Sequence, residues 1–296
     1  MAAVDKPTSV RGPLAWFAAR RRRRLPPLPL ILFLALIVFA ALFADLVAPH
    51  DPNVAGLRFR FRPPVWEEGG SWQFILGTDA LGRDILSRII HGTRISLLVG
   101  LFSVGVAGSV GILLGMVAGY MGGVVDAVIM RLTDATSAVP LLLVALLFVV
   151  TLGPSFGNLI LALALLLWSR YTRVVRSEVL SLKERDFVAL ARVAGASNAW
   201  IIARHIFPNI VNTAMVMLTL QLGTVIVVEA ALSFLGAGVP PPTPAWGSMV
   251  ADGRNYIATR WWIAFFPGMA ILLTVMTFNL FGDWLRDRLD PKLRQL

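Results

Sequence analysis

The chain is 296 residues long, 57% hydrophobic and only 15% charged, with a mean hydropathy of +0.74, a composition that excludes an ordinary soluble domain. Its formal charge of +10 is not a nucleic-acid signature in this setting, because membrane proteins concentrate Lys and Arg in cytoplasmic segments. The absence of cysteine excludes disulfides and thiol chemistry.

Five arginines, Arg20–Arg24, precede the apolar run Leu28–Val47. That run exceeds the roughly 7–15 residues of a signal-peptide core and has no small-residue cleavage site after it, so it predicts a retained first span with the amino terminus inside. From Ala48 to Thr93 the chain is polar, and Pro49, Pro52, Pro63, Pro64, Gly69 and Gly70 mark an irregular external loop. Its arginines Arg58, Arg60, Arg62, Arg83, Arg88 and Arg94 run against a simple positive-inside count but are largely offset by Asp51, Glu67, Glu68, Asp79 and Asp84. At its end Asp84 and Arg88 have i,i+4 spacing, with Ile85, Ile89 and Ile90 on the apolar side, the pattern of an interfacial helix.

The second span, Ile95–Tyr120, carries Gly111, Gly115 and Gly119, and Gly123 follows at the same spacing of four. Small residues at that period let helices approach closely, for static packing or as a sliding surface. Gly122–Pro140 reads as a short cytoplasmic turn in which Arg131 and Asp134 are spaced i,i+3, with Asp126 nearby. A third span ends at Leu152, an external turn covers Gly153–Asn158, and a fourth span covers Leu159–Val175. The turn spells G-x-S-x-G around Ser155, the nucleophile-elbow pattern of hydrolases. An elbow needs a strand before it and a His in register, whereas both flanks here are membrane helices and His205 falls on the opposite side.

Arg170, Arg173, Arg176, Lys183, Arg185, Arg192 and Arg204 mark the next segment as cytoplasmic. Within it, Asp186–Pro208 reads as two short helices. Phe187, Leu190, Val193 and Ala194 form an apolar face, Gly195 closes the first helix, and Ser197 caps the second. Trp200, Ile201 and Ile202 follow beside Arg204 and His205, and Pro208 fits the first turn of the next helix. Such a pair is suited to docking. A DNA-binding helix-turn-helix looks similar, but the flanking spans leave no room for a third helix or a duplex. A plain loop is the other reading.

The fifth span, Asn209–Leu235, holds Glu229, which is either functional or a buried carboxylate bonded to neighbouring helices. Pro240–Pro242 stiffen the external loop that follows, and the sixth span, Trp261–Phe281, opens on an interfacial Trp pair. No G-x-x-x-x-G-K-[ST] is present, and His50, His91 and His205 fit no metal-ligand spacing.

The Asp186–Pro208 stretch resembles the EAA loop of bacterial ABC importer permeases. Gly195 and Pro208 keep its thirteen-residue Gly-to-Pro spacing and Ala191 its residue type, while Ala189 and Leu190 stand where the pattern has Glu and Ala. Leu76–Arg94, Glu229–Gly247 and Phe278–Leu293 are similar to segments of the dipeptide, oligopeptide and nickel branch of that family. The resemblance implies an all-α polytopic membrane protein with six transmembrane helices, the type I ABC importer permease fold and both termini cytoplasmic. It divides the chain into a tail over 1–27, a first span and external loop over 28–93, a five-helix core over 94–283 with its coupling loop at 181–208, and a tail over 284–296.

The same resemblance implies a non-catalytic subunit in the bacterial inner membrane, partnered by a homologous second permease, two ATP-binding subunits and an extracytoplasmic binding protein. ATP and Mg2+ would belong to the ATPases, and the chain itself needs no cofactor or metal. Coupling would rest on Ala189, Ala191, Gly195, Ala196, Ser197, Trp200, Arg204, His205 and Pro208. Contact with the binding protein, or an external gate, would rest on Pro240, Pro241, Pro242 and Trp246. The competing reading is a self-contained carrier or channel, which would call for an inverted repeat and polar midplane residues. No clear repeat is visible.

Overall fold

The computed structural model describes residues 28–289; the 1–27 tail with its arginine block and the last residues, 290–296, lie outside them. The described residues are helical, and pairing of strand type is confined to an isolated bridge between Thr78 and Asp84. The helices are α1 (Leu28–Leu42), α2 (Ala44–Val47), α3 (Ile85–Met121), α4 (Gly123–Ala138), α5 (Leu141–Leu152), α6 (Phe156–Leu182), α7 (Asp186–Val193), α8 (Asn198–Ile201), α9 (Phe207–Phe234), α10 (Trp246–Gly253) and α11 (Trp262–Leu289).

Four helical runs are long and apolar enough to cross a membrane: α3, α6, α11 and the run Asn198–Phe234. A fifth arises if α4 and α5, bent by 86° at Val139–Pro140, count as one broken span. Helix α1 has 15 residues and rises about 22 Å, less than the roughly 30 Å hydrocarbon layer. The chain is a multi-pass membrane protein.

Two expectations change at the ends of spans. The segment with Asp84 and Arg88 is not a separate interfacial helix but the first turns of α3, which runs 37 residues without a break. Asp84 caps it, accepting from the Ser87 backbone N–H at 2.9 Å and the Ser87 hydroxyl at 2.6 Å. Arg88 turns inward, donating to the Pro52 carbonyl at 3.2 Å and lying 3.8 Å from Asp79, so its charge is neutralised by the loop and does not stop the helix. At the other end of the chain α11 continues through Leu289, past the expected end at Phe281.

The core is built on close approach of α3 and α6. A Cβ at Gly111 would lie 2.6 Å from Tyr171 Cβ, at Gly115 2.8 Å from Val175 Cβ, and at Gly119 2.8 Å from Val179 Cβ. Static packing therefore explains these three glycines. Gly123 does not share that face: with Gly122 it makes the positive-φ turn that opens α4.

The acids of α4 find partners on α6 instead of on their own helix. Arg173 donates to Asp134 at 2.8 Å, replacing the expected Arg131 pairing, and Arg176 holds both oxygens of Asp126. Ser155 is the N-cap of α6, accepting from the Asn158 backbone N–H at 3.1 Å, which accounts for the G-x-S-x-G turn. The tryptophans at the start of α11 tie it to the 67–78 loop. Trp262 is buried and donates to the Thr78 carbonyl at 3.2 Å, and Trp261 donates to Glu67 at 2.9 Å.

Candidate functional site

The 186–208 segment is fixed by backbone geometry first. Helix α7 ends in a Schellman turn: Gly195, at φ +79°, donates to the Arg192 carbonyl, and Ala196 donates to the Ala191 carbonyl, both at 3.0 Å. Ser197 then caps α8 by accepting from the Trp200 N–H at 3.3 Å. The helix does not stop before the next span. A π-helical turn, Ile202–Ile206, carries α8 straight into α9, with the Phe207 N–H reaching back five residues to Ile202. Pro208, which has no N–H to give, sits in the first turn of α9. The expected break before Asn209 is therefore absent, and one helical run extends from Asn198 to Phe234.

This pair of helices has two faces. Val188, Ala191, Ile201, Ile206 and Ile210 are buried against Met116 and Tyr120 of α3 and Val175 and Val179 of α6. Outward, Leu190 is 68% exposed, Val193 88% and Trp200 50%, with Phe187 beside them. His205 is half-buried with its ring 5.8 Å from Phe187 and 5.0 Å from Trp200, so one imidazole bridges the two helices.

Of the other residues assigned to coupling, Ala189, Gly195, Ser197, Arg204 and Pro208 are exposed, while Ala191 and Ala196 turn toward the core. Tyr120 was not anticipated. Its hydroxyl donates to Asn198 at 3.3 Å and receives Arg192 Nε at 3.4 Å, while the Arg192 guanidinium lies over its ring, tying α7 and α8 to the end of α3. A lone tyrosine at the end of an apolar run carries no periodic signal that would have marked it.

Glu229 is fully buried between α3 and α9, near the end of α9. It accepts from the Ser96 hydroxyl at 3.2 Å and the Ser233 hydroxyl at 2.7 Å. The carboxylate thus pins two helices together, which is the second of the two readings its position allowed.

At the far end of α9, Pro240, Pro241 and Pro242 are exposed, but Trp246 is not. It is 1% exposed and donates to the Ile89 carbonyl at 3.0 Å, with its ring lodged where a Cβ on Gly92 would come within 2.7 Å. Burial removes it from a direct contact surface: Gly92 of α3 leaves the slot in which the indole lies. Beside it lies a cleft of about 610 Å³ between the 79–83 turn, the end of α9 and the residues from Ala251 to Tyr256. Asp79 is saturated there, accepting from the Leu81 and Arg83 backbones at 2.9 Å and from Arg83 Nε at 2.7 Å. Asp252 meets Arg83 only at 3.6 Å, and burial holds its carboxyl above the ordinary range despite that arginine. Among the described residues, no group of three or more His, Asp or Glu side chains could hold a metal ion.

Residues 111–295 match the family described as the binding-protein-dependent transport system inner membrane component. The chain belongs to that family. It is similar to the di/tripeptide transport system permease protein DppC of Pseudomonas aeruginosa, with 47% identity over 89% of this chain and 87% of the relative. The dipeptide transport system permease protein DppC of Escherichia coli is 46% identical over 90% of this chain and 88% of the relative. In fold it is similar to an inward-facing structure of the MetNI methionine ABC transporter, with a TM-score of 0.56 over 69% of this chain and 96% of that one at 16% identity. The chain is thus a non-catalytic ABC importer permease, and neither the hydrolase reading nor the self-contained carrier describes it.

Proposed function

We propose that this permease forms half of the pathway of a bacterial inner-membrane importer for dipeptides or related small solutes. A homologous second permease supplies the other half, two ATPase subunits holding ATP and Mg2+ drive it, and an extracytoplasmic binding protein delivers the solute. The names of the curated relatives support peptides as the solute class. In this reading α1 is the first of six spans, α4 and α5 together are the third, and both termini are cytoplasmic. Pro240–Pro242 face the binding protein.

The observation that carries the proposal is the exposed ridge of Leu190, Val193 and Trp200 on a segment whose other face is packed into the helix bundle. Exposed apolar side chains on a rigid, polar-flanked turn are costly in water and gain by entering an apolar groove on a partner. Closure of the ATPase pair would move the ridge, and the spans would follow as rigid bodies. Co-purification of the tagged chain with its genomic neighbours tests this. The expected result is an ATP-hydrolysing complex with a second permease that imports dipeptide into vesicles when the binding protein is supplied. Recovery of a lone chain without ATPase would overturn it.

A further inference from the structure

We infer that the cleft at the far end of the 198–234 helical run binds a short zwitterionic peptide directly, Asp252 taking its ammonium group and Arg254 its carboxylate. The inference rests on the import reading above and adds a site on the permease itself.

Its volume, about 610 Å³, is that of a small-molecule pocket, and its lining mixes apolar side chains with the charged groups of Asp79, Arg83, Asp252 and Arg254. The charges are not equally committed. Arg83 spends its Nε on Asp79 and reaches Asp252 only across 3.6 Å, beyond hydrogen-bond distance. Asp252, its side chain 52% exposed, is thereby left short of a donor, and partial desolvation raises its pKa against the pull of Arg83 and Arg88. Arg254 has no carboxylate partner among the described residues and rests over the Phe234 ring at 5.8 Å. One carboxylate lacking a donor and one guanidinium lacking an acceptor, lining the same cleft as Phe234, Tyr256 and Ile263, match an ammonium, a carboxylate and an apolar side chain. Phe234 is also the last residue of the helical run whose first turn carries Trp200 of the exposed ridge, so an occupant would rest on the far end of that run.

The test uses the assembled permease–ATPase complex in lipid nanodiscs without the binding protein, and measures equilibrium binding of radiolabelled alanyl-phenylalanine. Wild type should bind it, Asp252→Asn and Arg254→Gln should each weaken binding at least about tenfold, and Asp252→Glu should retain it. The same peptide acetylated at its amino terminus and amidated at its carboxy terminus should fail to compete. Unchanged subunit composition and a melting temperature no lower than that of wild type show that a variant has folded. No wild-type binding up to about 10 mM peptide, or wild-type affinity in either charge-removing variant, overturns the inference. So does a cleft that leaves peptide unbound while Asp252→Asn weakens docking of the binding protein, because its occupant is then a side chain of that protein. Failure of the import reading is distinct, since no ATP-hydrolysing complex would then assemble.

Discussion

The hydroxyl of Thr172 donates to the backbone carbonyl of Gly111 at 3.1 Å, a side chain of α6 bonding directly to the main chain of α3. Contact that close leaves no room for added atoms. Gly115→Val should destabilise the protein by about 1–3 kcal/mol, whereas Gly105→Ala, which has open space around it, should be neutral or slightly stabilising. Thermal melting of the purified protein followed by size-exclusion chromatography distinguishes the two.

Gly195 is the second prediction. Its φ of +79° suits glycine, and its N–H closes the Schellman turn. Proline there fixes φ near −65° and removes that donor. Gly195→Pro should abolish transport while leaving membrane insertion intact, and Gly195→Ala should cost about 1–2 kcal/mol with partial transport. Vesicle uptake measured beside membrane-fraction yield decides it, and normal uptake by the proline variant would remove the segment from the coupling role.

The exposed ridge can be separated from the buried face by one charge at a time. Leu190→Asp and Val193→Asp should leave the permease folded but strip it of ATPase on purification, because both side chains face solvent. Ile201→Asp should lower the yield of folded protein itself, since it places a carboxylate inside the cluster with Val175 and Val179. Equal ATPase recovery from all three would contradict the proposed docking surface.

Asp252 makes a pH prediction of definite sign. Its carboxyl is raised by burial in the folded state, so between the unfolded value near 3.8 and the folded value the native protein holds more proton than the unfolded chain. Stability is accordingly favoured below that window and falls as pH rises through it. Asp252→Asn should melt higher than wild type at pH 7, with the difference closing as pH approaches 4. A variant that melts lower than wild type at pH 7 would mean that Arg83 outweighs burial.

Much of this was legible from residue order, and the reason is local. Gly195 and Ser197 act through bonds to residues within five positions, and the glycines of α3 act through a period intrinsic to the helix. What escaped depends on distant partners. Arg88 and Arg94 suggested a break before the second span, but Asp79 and Asp45 neutralise them, and Asp45 lies 49 positions from Arg94. Asp134 pairs with an arginine on another helix, 39 positions away. Trp246 was assigned outward by resemblance and Trp262 to the interface by its place at the start of a span, yet their ring N–H groups reach carbonyls of Ile89 and Thr78 that no spacing rule connects to them. Pro208 does open the next helix as its residue type requires, but the π turn before it joins that helix to the one from Asn198, a continuity that sequence spacing did not show.

That continuity has a cost in how the protein can vary. Inserting or deleting one residue in a loop changes little, but within the Asn198–Phe234 run each added residue lengthens the rod by about 1.5 Å and turns one end against the other by about 100°. Trp200 would swing away from its groove, or Phe234 from its rim, although neither had been altered. This stretch is therefore held to a fixed count as well as to a fixed composition, and length changes among functional homologues should cluster outside it.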